Sequence, residues 1–230
     1  MSEACGLLVT AKLVKPLDGD APHLDSLLEY AMSLHHHAGE PGYKVDRALP
    51  APPMGAIPIP IKRARLGPWL VGCCSNPILG RVHAEGVQYI NKRIGVEKAA
   101  LLAENARHVV ATTNSWTKSW RVPHRTRLVD KVCWFAFGNR KILLKTLKSH
   151  VRFIGRKRSV GDGMVGDWTV DKLDHDYSWF APSEHGTVLM RTLPAGDWLP
   201  DDLVGFKQDF GGVCPPYWHP ERYSEIVVPC

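Results

Sequence analysis

Val129–Asp171 reads VDKVCWFAFGNRKILLKTLKSHVRFIGRKRSVGDGMVGDWTVD. Val129–Gly138 is rich in aromatic and β-branched residues, which predicts a strand. Asn139 suits a helix N-cap, and Arg140–His150 predicts the helix it opens. Ile142, Leu143, Leu144 and Leu147 mark its buried face, and Arg140, Lys141, Lys145 and Lys148 line the other side. Gly155–Gly163, GRKRSVGDG, follows, and Met164–Asp171 predicts the next strand.

The loop between that helix and that strand holds Gly155, Gly161 and Gly163 around the consecutive cations Arg156, Lys157 and Arg158. Glycine permits positive φ and close backbone approach. Exposed amides together with cations hold a phosphate chain. Two other glycine motifs fail here. A dinucleotide fingerprint opens a helix after a strand, whereas this loop follows a helix. A phosphate-binding Walker loop needs Lys after its last glycine, and Asp162 follows Gly161. A plain basic turn between helix and strand is the structural alternative.

Charge is concentrated around the same place. Residues 105–158 hold 14 of the 29 Lys and Arg residues and a single acid, Asp130. Residues 1–104 are close to neutral, and residues 159–230 carry 12 acids against four bases. Like charges at such density repel and favour a polyanion. Trp116, Trp120, Trp134, Phe135, Phe137 and Phe153 are interleaved with these cations, a composition that suits nucleic acid. A solvated basic face, or one paired with the acidic C-terminal third, is the alternative.

Working outward, Gly6–Leu17 predicts an opening strand and Asp25–His36 a helix, with Leu24, Leu27, Leu28, Ala31 and Leu34 on one face. Ser26 and Glu29 have capping-box spacing. His35–His37 do not share one helical face, so they read as a solvated helix end rather than a metal site. Gly39–Pro60 predicts a loop, Ile57–Arg65 an edge strand, Trp69–Ser75 a strand and Glu97–Val109 a helix. Thr112–Arg127 is polar, aromatic and basic without clear periodicity, which suits an extended arm or hairpin outside the core. Gly186–Arg191 predicts another strand, and the tail around Leu193–Pro200 and Cys214–Pro220 is rich in Pro and aromatics.

The 230 residues suit one large domain, and the near-average composition excludes bulk disorder or a coiled coil. No apolar run reaches the length of a membrane-spanning helix. Met1–Cys5 has no basic region followed by an apolar run, which predicts a cytoplasmic chain with reduced thiols at its six cysteines.

A loop of the form G-x-x-R-x-x-G-x-G after a helix and before a strand resembles the RAMP superfamily of CRISPR–Cas proteins. The match runs through Gly155, Arg158, Gly161 and Gly163. His23–Leu28 (HLDSLL), the WFAFG strand, Arg191–Pro194 (RTLP) and the tail PPYWHP resemble one branch, the family-five Cas subunit of type IV CRISPR effector complexes. The resemblance implies an α+β fold: a ferredoxin-like (RRM-like) βαββαβ domain over residues 1–195. A basic arm is inserted at about 112–128, and an irregular Pro- and aromatic-rich extension, 196–230, packs on the domain.

It also implies a non-catalytic subunit that caps the 5′ handle of a guide RNA and helps assemble a ribonucleoprotein against mobile DNA. Its partners would be the guide RNA, a backbone RAMP subunit, the large subunit and target DNA near the handle. The RNA-facing residues would be Gly155, Arg156, Lys157, Arg158, Gly161 and Gly163. Lys118, Arg121, Arg125 and Arg127 would form the projecting thumb, with Trp116 and Trp120 as stacking platforms. No cofactor or metal is implied.

Two alternatives stand beside it: a guide-RNA-processing endoribonuclease of the same superfamily, or an unrelated basic RNA-binding module. RNA cleavage through a 2′-hydroxyl needs a general base, and His108, His124 and His150 lie in the basic segment. His124, among Arg121, Arg125 and Arg127, is the first candidate. Asp171, Asp174, His175 and Asp176 lack the spacing of a zinc site and read as an acidic turn.

Overall fold

The computed structural model describes residues 3–36, 50–93, 95, 97, 119–156 and 161–230. The helix expected over Glu97–Val109 falls outside these residues apart from Glu97. So do Trp116, Lys118, Lys157 and Arg158.

Strand β1 (Cys5–Leu13) and the short β2 (Leu17–Asp18) lead into helix α1 (Leu24–His36). Strands β3 (Arg63–Leu66), β4 (Trp69–Gly72) and β5 (Ile78–Leu79) precede the long β6 (Val82–Lys92). Then come β7 (Trp120–Val129), β8 (Lys131–Gly138), helix α2 (Arg140–His150) and β9 (Val165–Leu173). The C-terminal third holds β10 (Phe180–Ser183), β11 (Gly186–Leu189), β12 (Leu193–Pro194) and β13 (Leu203–Val204). It ends with β14 (Phe206–Gly212), a 3-10 turn at Pro220–Arg222, and β15 (Tyr223–Pro229). The chain is therefore mixed α+β and rich in sheet.

The principal sheet has the order β5-β8-β1-β9, and every neighbouring pair is antiparallel. Strand periodicity sorts its side chains onto two faces. Leu7, Val9 and Ala11 of β1 lie beside Val132, Trp134 and Ala136 of β8 and Trp168 and Val170 of β9 on the buried face. Helices α1 and α2 cover that face with Leu24, Leu27, Leu28, Ala31, Leu143 and Leu147. Trp134 and Trp168 stack with ring centroids 6.0 Å apart. Their indole N–H groups donate to Pro22 O at 3.1 Å and Val151 O at 2.8 Å, so the core gains large apolar area without orphaned donors.

The Asn139 cap forms as its sequence position predicts: Oδ1 accepts the Ile142 N–H at 3.1 Å. The Ser26–Glu29 capping box does not form. Helix α1 starts at Leu24, so Ser26 lies inside its first turn, and Glu29 binds Arg63 at 2.5 Å instead.

A second apolar cluster gathers Leu66, Val71, Leu189, Leu193, Val213, Ile226 and Val227. It sits among three small sheets, β3-β4, β10-β11-β13 and β12-β15-β14. The C-terminal extension, expected to be irregular, carries a regular antiparallel ladder from Phe206↔Pro229 to Gly212↔Tyr223. Its strands bury Ile226 and Val227, a β-branched pair whose preference outweighs the surrounding prolines.

The remaining sheet is a ribbon. Strand β6 pairs with β7 over nearly its whole length, and β2 joins the base of β7. Strand β6 is exposed through Tyr89, so this ribbon projects from the packed body.

Candidate nucleic-acid interface

The register of the ribbon decides what each face presents. Glu85 lies opposite Arg127, Val87 opposite Arg125, Tyr89 opposite Pro123, and Asn91 opposite Arg121. These residues share one face, since side chains alternate along a strand. Arg121, Arg125 and Arg127 therefore stand together. Trp120 lies opposite Lys92 on the other face, with Val122, His124 and Leu128. Trp120 is thus not brought beside the three arginines.

Within the arginine face, the guanidinium of Arg121 lies over the Tyr89 ring, 3.9 Å from its centroid. Arg127 is held by Glu85 at 3.3 Å and Asp20 at 3.8 Å. Among the described residues, Arg125 has no carboxylate partner. Tyr89 lay in a part of the sequence that carried no strand prediction. The signal available was alternation of Val82, Ala84, Gly86 and Gln88 with charged and aromatic residues, too weak to select one face.

The glycine-rich loop lies at the root of this ribbon. Gly155, Gly161 and Gly163 all have positive φ, at 91°, 92° and 67°. Gly163 donates its N–H to Pro16 O at 2.7 Å and accepts from Ile154 N–H at 2.9 Å. A Cβ on Gly163 would sit 1.7 Å from Ile154 O, so only glycine fits. Two of the glycines thus close the loop onto its own flanks and the segment before β2.

Loop and ribbon meet at Gly19. The Gly19 N–H donates to Arg125 O at 3.1 Å, and the Arg156 side chain lies against Gly19, where a Cβ would be 3.0 Å from Arg156 Cδ. Arg156 N–H also donates to Asp18 O at 3.3 Å. The junction therefore places exposed Arg156 next to the backbone of Arg125. On its other side, His124 Nδ1 is 3.4 Å from Asp18 Oδ2, and His124 Nε2 is buried without a hydrogen-bond partner. The carboxyl of Asp162 is raised above its ordinary value by partial burial and by the nearby Asp18.

Three segments quoted for the family likeness converge elsewhere. Asp25 of HLDSLL, Arg191 of RTLP and Tyr217 of PPYWHP form one buried cluster. Arg191 is fully buried; its Nη2 donates to Asp25 Oδ2 at 2.6 Å and to Tyr217 Oη, and its Nη1 donates to Cys74 O at 2.8 Å. Tyr217 Oη donates to Asp25 at 2.9 Å, and His23 stacks on the Tyr217 ring at 4.5 Å. Burial pushes the Asp25 carboxyl up, but Arg191, His23 and the Tyr217 hydrogen bond together hold it below the usual carboxylate value. His23 is lowered to about 4, by burial first and by Arg191 second. These residues tie the first core to the second, with Asp25 and Arg191 buried and His23 and Tyr217 half-buried.

A cavity of about 600 Å³ opens at the end of the sheet away from the loop and ribbon. Arg140, Lys141 and Lys172 line it together with Glu3, Asp174 and Asp176, so its charges balance. Among the described residues no group of three or more His, Cys, Asp or Glu is arranged to hold a metal, and no helix is long and apolar enough to cross a membrane. The sequence matches no protein-family model and no curated protein.

Proposed function

We propose that this chain is a non-catalytic RNA-binding subunit of a type IV CRISPR ribonucleoprotein, the family-five subunit that caps the 5′ handle of the guide. The observation that carries the reading is the junction at Gly19, where a ribbon with three arginines on one face meets the basic glycine-rich loop. Cations on a projecting two-stranded ribbon and on a loop at its root bracket an extended polyanion from two sides. Affinity then comes from phosphates, and splayed bases are free to stack.

The principal sheet supports a ferredoxin-like domain. Taken in chain order, β1, α1, β5, β8, α2 and β9 run strand-helix-strand-strand-helix-strand. In space the four strands stand as fourth, first, third, second, all antiparallel. In this reading β6 and β7 are an insertion between the second and third core strands. The acidic C-terminal third is the side offered to the backbone and large subunits.

Co-expression with the neighbouring genes, followed by isolation and sequencing of bound RNA, tests this. The expected result is a large complex holding short RNAs that share one repeat-derived 5′ handle. RNA of random sequence would leave a generic basic RNA-binding module, and no RNA would remove the function altogether.

The processing endoribonuclease is the second reading. Asp18 beside His124 Nδ1 is the arrangement that orients a general base. The burial of Nε2 argues against it, since substrate has no approach to that nitrogen. Cleavage of a repeat RNA that is lost in His124→Ala would favour the enzyme.

A further inference from the structure

We infer that Tyr89 and Arg121 form a base-stacking site for single-stranded nucleic acid on the arginine face of the ribbon. This rests on the RNA-binding reading and assigns one contact within it. Tyr89 is 52% exposed although it lies within a strand. One side of the ring is already met by the Arg121 guanidinium, 3.9 Å from the centroid. The two residues are diagonal neighbours across the strands, a spacing within reach of aromatic and long side chains.

A cation over a tyrosine face both rigidifies the ring and adds a second planar surface. Nucleobases stack on tyrosine rings and on guanidinium planes alike. The next cross-strand pairs on the same face are Val87–Arg125 and Glu85–Arg127. Arg125, without a carboxylate partner among the described residues, lies two residues nearer the loop and is placed for a phosphate. Arg127 is neutralised by Glu85 and Asp20. The face therefore reads, from its outer part inward, as a stacking platform, then a cation with no carboxylate partner among the described residues, then the Gly19 junction with Arg156. That order suits an unpaired strand running along the ribbon toward the loop. A duplex keeps its bases stacked on each other and leaves the platform unused.

The test is binding of the full chain to a fluorescent single-stranded oligouridine, followed across a salt series. Tyr89→Leu keeps a strand-compatible apolar residue and removes the ring. Affinity should fall by roughly 5- to 150-fold, the range that corresponds to one stacked base. The slope of log K against log salt should not change, because no phosphate contact is lost. Tyr89→Phe should bind as the parent does. Arg125→Gln should lower the slope by ~0.7, the single-strand value for one phosphate. An oligomer with abasic positions throughout should bind parent and Tyr89→Leu equally.

Parental affinity in Tyr89→Leu, or a loss accompanied by a smaller slope, would overturn the stacking site while the RNA reading stands. A Tyr89→Phe variant as weak as Tyr89→Leu would overturn it as well, since the ring would then matter only through its hydroxyl. A parent chain that binds neither RNA nor DNA overturns both readings.

Discussion

Replacing His23 by Phe tests whether the buried Asp25–Arg191–Tyr217 cluster is held together as described. The His23 ring stacks on Tyr217 at 4.5 Å, and its Nδ1 is buried with no partner. Burial and Arg191 lower its pKa to about 4 against 6.5 for an ordinary histidine, and Asp25 offsets only part of this. The unfolded chain therefore takes up a proton as pH falls through 6.5, while the native chain does not. Stability from this group is present above 6.5 and is lost as pH falls toward 4. The full shift corresponds to about 3 kcal/mol, of which about 2 kcal/mol is lost between pH 7 and pH 5.

Phe keeps the stacked ring and removes the titration. Total stability is not the readout, because Glu29 titrates in the same window with the opposite sign. Burial raises its pKa to about 7 despite the nearby Arg63. The native chain then binds that proton before the unfolded chain does, and stability from Glu29 rises as pH falls. The Glu29 contribution is common to both proteins and cancels in their difference. In urea denaturation followed by tryptophan fluorescence, the stability of His23→Phe relative to the parent should rise by about 2 kcal/mol from pH 7 to pH 5. A difference that stays constant across that range would refute the burial of His23 against Arg191.

Arg191→Met should destabilise the fold by about 3–5 kcal/mol, because it strands the Asp25 carboxylate without its cation, and adding Asp25→Asn should recover part of the loss in urea midpoint. Asn139→Ala should cost about 1 kcal/mol through the lost cap on α2, visible as a lower melting temperature. Gly163→Ala should prevent native packing, as judged by loss of near-ultraviolet circular dichroism, since its Cβ would meet Ile154 O. Gly161→Ala, whose Cβ would meet nothing within 4 Å among the described residues, should fold and cost only about 1–2 kcal/mol for its positive φ. Equal behaviour of the two glycine variants would show that contact geometry does not distinguish these positions.

The stretch 129–171 was legible because each signal in it is local. A β-branched and aromatic run, an Asn cap and a 3.6-residue apolar stripe all point the same way, and β8 and α2 appear within one or two residues of their expected limits. Helix α1 was legible from the same periodicity, and it begins one residue before its expected start, but its capping was not legible. Ser26 and Glu29 have capping-box spacing, yet the helix starts at Leu24, Asp25 is buried against Arg191, and Glu29 goes to Arg63. The regular sheet of the C-terminal extension was missed for a related reason. The prolines there are visible in the sequence, whereas the pairing of β14 with β15 depends on contacts that no local rule contains.

The ribbon shows the same limit at the site itself. The basic composition of Arg121–Arg127 predicts a partner of opposite charge, and the cations do stand exposed or half-exposed on a projecting element. Which of its residues act together depends on register with a strand about thirty residues upstream. That register puts Trp120, expected beside the arginines, on the opposite face, and brings in Tyr89, which no motif marked. The glycine-rich loop is an intermediate case. Its glycines are legible as positions of positive φ, but the structure gives two of them a reason that needs no ligand, namely closure against Ile154 and Leu17–Asp18. The functional weight therefore moves from the glycines to the cations they position. Among the described residues that is Arg156, packed on Gly19 beside Arg125, so loss of RNA affinity in Arg156→Gln with the loop intact would separate a phosphate contact from a folding requirement in a way that no glycine substitution can.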